Sequence, residues 1–195
     1  MAERVAKRMS VEEFFDWQER QDKNYELVDG VPVLSVKAMT GASGRHDMVT
    51  VNAIVSLGNS LRGKPCRPRT SDQSVRTFRG TRRPDVTIEC APPDTRRLDA
   101  ADPRVVIEIL SPSTMRFDRF QKLEEYKLND CIRVILLVDT EAPQVTVWRR
   151  SDSGWRFEDL AGMESVIELP EIHAALRFSE LYADIDWSKE EHGDG

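Results

Sequence analysis

Residues 82–126 read RRPDVTIEC (82–90), a polar loop, RVVIEIL (104–110) and SPSTMRFDRFQKLEEY (111–126). Two strand-like runs each hold a carboxylate where an apolar residue is expected, and a helix with a lysine near its middle follows. On the first run Asp85, Thr87 and Glu89 share one face, and Val86, Ile88 and Cys90 the other. On the second, Val105, Ile107 and Ile109 form one face, and Val106, Glu108 and Leu110 the other. Glu108 is thus flanked on its own face by two large apolar residues. A buried carboxylate is costly unless it is paired, hydrogen-bonded or bound to a cation.

Outward from this stretch, the elements follow from short-range signals. Ser10 and Glu13 form a capping box ahead of Phe14, Phe15 and Trp17, which predicts a helix within 1–20. YELV and VPVLSV, separated by Asp29-Gly30, predict a hairpin with Glu26 on its first strand. Met48, Val51, Ile54, Val55, Gly58 and Leu61 recur at helical spacing and place His46 at the start of a long helix. Strands are expected at about 64–70 and 73–79, and Phe117, Phe120 and Leu123 supply an apolar stripe for the helix after Ser111-Pro112-Ser113. IRVILLVD reads as a central strand covered on both faces, QVTVWRR and WRFEDL as a hairpin, and LRFSELYADI as a strand leading into a short helix. The order implies one α/β domain over 1–195, a mixed sheet with helices on its faces, ending in a frayed tail at 188–195.

Hydrophobic residues make up 39% of the 195 and charged residues 32%, as in soluble globular proteins, and no apolar run is long enough to cross a bilayer. MAERVAKRMSVEEFF lacks a signal-peptide core, which predicts a cytoplasmic protein that does not engage membranes. Cys66, Cys90 and Cys131 lie far apart without a CxxC pair and read as reduced, structural thiols. The net charge of −6 argues against indiscriminate coating of nucleic acid. The charge is nevertheless uneven: eight Lys/Arg against one acid between Arg62 and Arg83, and eleven acids against two bases from Glu158 onward. A phosphate-facing side that includes Arg79, Arg82 and Arg83 is one reading, and ordinary solvated loops are another.

Taken singly, Asp85 is a turn residue at a strand entrance, and Asp118 with Lys122 an i,i+4 surface pair. Together with Glu108 they match the needs of phosphodiester hydrolysis. That chemistry requires a divalent cation held by a few oxygens, and positive charge for the transition state. Two carboxylates on adjacent strands can share Mg²⁺, and a lysine on the next helix can orient water or neutralise phosphate.

RRPDVTIE…RVVIEILSPST…DRFQKLEEYKLNDCIRVILLVD resembles the Uma-two family of restriction-endonuclease-like proteins, within the PD-(D/E)XK nuclease superfamily. The likeness rests on Pro84-Asp85, on Glu108-Ile109-Leu110-Ser111-Pro112-Ser113-Thr114, on Asp118, Lys122 and Tyr126, and on Leu137-Val138-Asp139. YELVDG resembles the family's early hairpin and adds Glu26, and His46 matches a histidine at the start of the long helix. Two departures stand out: the superfamily's strand lysine would fall at Leu110, and the turn before the last strand reads Asn129-Asp130-Cys131.

The resemblance implies a restriction-endonuclease-like α/β fold and a Mg²⁺-dependent endonuclease acting on DNA more than on RNA, with Mn²⁺ a possible substitute. Asp85, Glu108 and Glu26 would be metal ligands and Lys122 the catalytic lysine. His46, Tyr126 and Asp118 would be supporting residues or phosphate contacts. Cutting both strands of a duplex with one site per chain implies a homodimer. The alternative is a nuclease-fold binding module without catalysis.

Overall fold

The computed structural model describes residues 8–35, 44–110 and 116–187, with the side chains of 116–119 excepted. The turn at 111–114, the loop before the long helix, the Asp118 side chain and the tail at 188–195 lie outside the described residues. Helix α1 (Val11–Gln18) begins with the expected reciprocal cap: Glu13 N–H donates to Ser10 Oγ at 3.1 Å, and Ser10 N–H to Glu13 Oε2 at 2.8 Å. Strands β1 (Tyr25–Val28) and β2 (Val31–Leu34) meet at Asp29-Gly30, with φ of 51° and 80°. Positive φ at both central residues is what a tight two-residue hairpin needs, and Asp-Gly supplies it at least steric cost.

Helix α2 (Gly44–Ser60) is followed by β3 (Arg67–Thr70), β4 (Val75–Thr77), β5 (Gly80–Arg82) and β6 (Val86–Glu89). The strand expected at 73–79 is thus shorter, and β5 is a further short strand. Gly80 sits at φ 140° with its Cα against Leu27 O, where a Cβ would collide; this lets β5 lie tightly along β1. Then come β7 (Pro103–Leu110), α3 (Arg116–Lys127), β8 (Val134–Asp139), β9 (Gln144–Ser151) and β10 (Gly154–Ala161). The chain ends with β11 (Val166–Leu169), a 3₁₀ turn (Pro170–Ile172), β12 (Ala174–Arg177) and α4 (Phe178–Leu181).

The mixed sheet is six-stranded, in the order β10-β9-β8-β7-β6-β3. Its β7–β8 pair is parallel and bridged by α3; the other pairings are antiparallel. A four-stranded sheet, β2-β1-β5-β4, and the β11–β12 hairpin stand apart from it, so the sheet of the sequence reading is divided. The alternation read in β7 holds. Val105, Ile107 and Ile109 join a core with α2, β8, β9, β12 and α4, while Val106 joins Leu123, Tyr126, Ile135 and Leu137 on the α3 side. Strand β8 is buried on both faces. One expectation fails at α3. Phe120 is 61% exposed, and the inward face is carried by Leu123 and Tyr126 beside polar residues.

The cysteine reading is also corrected. Cys66 and Cys90 form a disulfide with a Cα–Cα distance of 4.0 Å, and Cys131 is free. The separation of 24 residues conceals that β3 and β6 are antiparallel neighbours with Arg67 opposite Glu89, which makes Cys66 and Cys90 the next facing pair. Denatured, unreduced protein should therefore show one reactive thiol per chain, rising to three after dithiothreitol. Reduction should lower stability by roughly 3 kcal/mol, the chain-entropy value for a loop of this order. Three reactive thiols before reduction would contradict the pairing.

Candidate active site

The β5–β6 connection builds the site. Arg82 ends β5 in the small sheet, and after Arg83 and Pro84 the chain enters the large sheet at Asp85. Val86 pairs with Ile107 across the antiparallel β6–β7 register, so Asp85, one position back, stands beside Glu108. Ile109 N–H donates to Asp85 Oδ2 at 2.8 Å, which fixes the carboxylate at the carboxyl end of β7. Asp85 Oδ1 lies 3.1 Å from His46 Nε2, which projects from the first turn of α2. Asp85 is 4% exposed.

Glu108 projects from the opposite face of β7 to Ile107 and accepts a 2.7 Å hydrogen bond from the Tyr126 hydroxyl. Burial raises the Tyr126 phenol well above its usual range, and the neighbouring Glu108 charge acts in the same direction. The phenol therefore stays protonated and donates. One turn before Tyr126 on α3, Lys122 places Nζ 3.3 Å from Glu26 Oε1. Its side chain is 11% exposed, so it is no solvated surface lysine.

Glu26 is itself buried within an ionic cluster. It faces Arg82 across the β1–β5 ladder and accepts from Arg82 Nη1 at 3.1 Å and from Arg83 N–H at 3.0 Å. Burial pushes its carboxyl up, but Lys122, Arg82 and the Arg83 amide outweigh that, and the net shift is downward. Arg82 also donates twice to Glu125 of α3, Nε to Oε2 at 2.8 Å and Nη2 to Oε1 at 2.6 Å. Thr77 adds a 2.9 Å bond to the same carboxylate. Glu125 was not foreseen from the sequence. Its signal is the i, i+3, i+4 spacing of Lys122, Glu125 and Tyr126, which aligns all three on one face of α3.

This arrangement corrects the nucleic-acid reading of the basic segment. Arg82 and Arg83 are 3% and 2% exposed. Arg83 spends its guanidinium on the carbonyls of Tyr25, Ser71 and Asp72 at 2.6–3.0 Å, where no phosphate can replace them. Arg79 forms a two-pronged pair with Asp29. Arg76 holds Asp99 and Glu12, and Arg69 lies 3.3 Å from Glu89. Most of the run is thus engaged in internal pairing.

The proposed cation ligands fit in part. Among the described residues no group of three or more His, Cys, Asp or Glu side chains is placed to hold a metal ion. Asp85 and Glu108 are opposite each other when the β6–β7 register is extended by one position, and two carboxylates are a number that suits Mg²⁺, which retains several waters. Glu26 does not fit as a third ligand, because two cationic side chains, Arg82 and Lys122, already neutralise it and would repel a metal ion.

Removing Arg82 strands two buried carboxylates, and losing one partner from such a pair costs about 3–5 kcal/mol. Urea denaturation of Arg82→Ala should show a loss of that order, against little change for Arg62→Ala in the exposed turn after α2. A loss below about 1 kcal/mol would mean that the cluster is solvated.

Comparison with known proteins places the chain in a family. A family model, Uma2, described as "Putative restriction endonuclease", matches residues 11–181. The Synechocystis sp. protein named "Uncharacterized protein slr1290" is 33% identical over 151 residues, covering 75% of this chain and 77% of its own. A second from the same organism, "Uncharacterized protein sll1609", is 23% identical over 170 residues, 84% of this chain and 94% of its own. The crystal structure of "a putative nuclease belonging to DUF820" from Anabaena variabilis superposes with a TM-score of 0.68 at 15% identity, covering 89% of this chain and 97% of that one. That likeness shows a shared fold. With a family match spanning most of its length and a relative at 33% identity over three-quarters of it, the chain belongs to the Uma2 family.

Proposed function

We propose that this protein is a Mg²⁺-dependent endonuclease that hydrolyses phosphodiester bonds in DNA. The observation that carries the proposal is Asp85 held at the carboxyl end of β7, next to the register position of Glu108, with a half-buried Lys122 one helical turn from the tyrosine that bonds Glu108. This is where α/β sheets with parallel strands open toward ligands. The nuclease descriptions of the family and of the structural relative support the same chemistry.

Asp85 and Glu108 would hold the cation, Mg²⁺ or Mn²⁺ in its place. When bound, it would neutralise phosphate oxygens and acidify water. The chain's own groups have separate duties. Ile109 N–H and His46 fix the two oxygens of Asp85, and the Tyr126 hydroxyl orients Glu108. Lys122 supplies a positive charge in a site partly shielded from water, where it can stabilise charge that develops on the phosphoryl oxygens. Glu26 is a positioning residue in this reading: it steers the Lys122 ammonium and is itself held by Arg82 and Arg83. Asp118, in the first turn of α3, remains a proposed phosphate contact. Duplex cleavage needs two such centres, so the acting species is proposed to be a homodimer.

Lys122→Met keeps the apolar stem and deletes the charge. Cleavage of duplex DNA with Mg²⁺ should fall roughly 10²–10³-fold per folded molecule, the usual loss for one preorganised donor. Because Lys122 also neutralises Glu26, some loss of thermal stability should accompany it, and the folded fraction is measured by circular dichroism. Arg96→Met, whose side chain is 92% exposed, is the control and should cleave at the wild-type rate. Equal rates for both variants would remove Lys122 from the site. Wild-type protein that cleaves no duplex, single-stranded, branched or RNA substrate would favour the silent binding module.

A further inference from the structure

Strand β10 closes one end of the six-stranded sheet, and the described residues include no strand on its outer side. Its eight residues pair with β9 in one unbroken register, from Gly154 opposite Ser151 to Ala161 opposite Gln144. The ladder continues with Gly162 N–H donating to Pro143 O at 2.9 Å, so even-numbered residues of this strand direct their main-chain groups inward to β9. Trp155, Phe157, Asp159 and Ala161 therefore direct theirs to the open edge. Among the described residues, only the Ala161 carbonyl is taken up there, by Ser165 Oγ at 2.7 Å. Proteins usually disarm such an edge with proline, a bulge or a repeated charge of one sign. β10 (GWRFEDLA) has no proline, its register has no shift, and its charges are of both signs.

We infer that β10 pairs antiparallel with β10 of a second copy of this chain, about a two-fold axis at Phe157, joining the two six-stranded sheets into one. The open-edge residues allow this register, in which Phe157 faces its own copy and Trp155 faces Asp159. About six main-chain hydrogen bonds then form across the axis. Arg156 falls opposite Glu158 of the partner strand twice, in the non-hydrogen-bonded positions where side chains approach most closely. The strand is thus complementary in charge to itself. Phe157 is 60% exposed in the single chain, although its ring lies 4.8 Å from that of Trp148, and pairing would cover it. The inference stands on the strand edge and does not rest on nuclease activity.

Charge swaps test the register. Arg156→Glu alone and Glu158→Arg alone each put like charges opposite each other, whereas mixing the two variants restores two opposite-charge pairs. Sedimentation at micromolar concentration should give about twice 22.3 kDa for the wild type, monomers for each variant alone, and dimers for the equimolar mixture. The mixture also shows that both variants are folded. Wild-type monomers, dimers that persist in both single variants, or a mixture that stays monomeric would each overturn the pairing. Monomers whose tryptophan fluorescence is quenched by a single-stranded oligonucleotide would assign this aromatic edge to nucleic acid instead.

Discussion

Arg82 carries its charge to a position only 3% exposed, between Glu26 of the small sheet and Glu125 of the helix that bridges β7 and β8. Desolvating three charges is expensive, and an apolar trio of similar volume could match such a cluster in stability. What an apolar trio could not do is aim a fourth charge. Through Glu26 the cluster steers Lys122, and through α3 it fixes the phase of the helix that also brings Tyr126 to Glu108. The candidate site therefore takes its shape from a buried ion cluster that lies beside it.

The same contact explains why the two sheets meet where they do. Residues 82–85 leave one sheet and enter the other within four positions. Arg82 and Arg83 anchor the first half of that crossing by side-chain bonds, and Asp85 anchors the second by its bond to Ile109 N–H. A crossing fixed at both ends keeps Asp85 beside Glu108 without help from a loop. His46 reaches the same carboxylate from α2.

Much of this was legible where the signal is local. The Ser10–Glu13 cap, the Asp29-Gly30 turn and the alternation along β7 depend on neighbours a few residues away. Local patterns carry such information reliably. What went unread depends on distant partners. Arg82 and Arg83 look like surface charge until β1 and α3 are placed around them, and Cys66 looks solitary until β3 lies beside β6. Phe120 fits the helical stripe, yet the face that turns inward is the one bearing Lys122, Glu125 and Tyr126. Periodicity counts apolar residues and is blind to a polar face that buries itself by pairing. Glu26 joins Asp85 and Glu108 through the resemblance of YELVDG to the family's early hairpin, which says nothing of the Arg82 and Lys122 charges that surround it in the fold.

The central claim is that Asp85 and Glu108 form a cation-binding pair. Calorimetric titration of the full chain with Mn²⁺, without nucleic acid, addresses it independently of catalysis. The account predicts binding heat for the wild type that is largely lost in Asp85→Asn and in Glu108→Gln, with both variants still folded, and retained in Glu26→Gln if that variant folds. Wild-type protein that gives no heat, or carboxylate variants that bind Mn²⁺ as the wild type does, would contradict it.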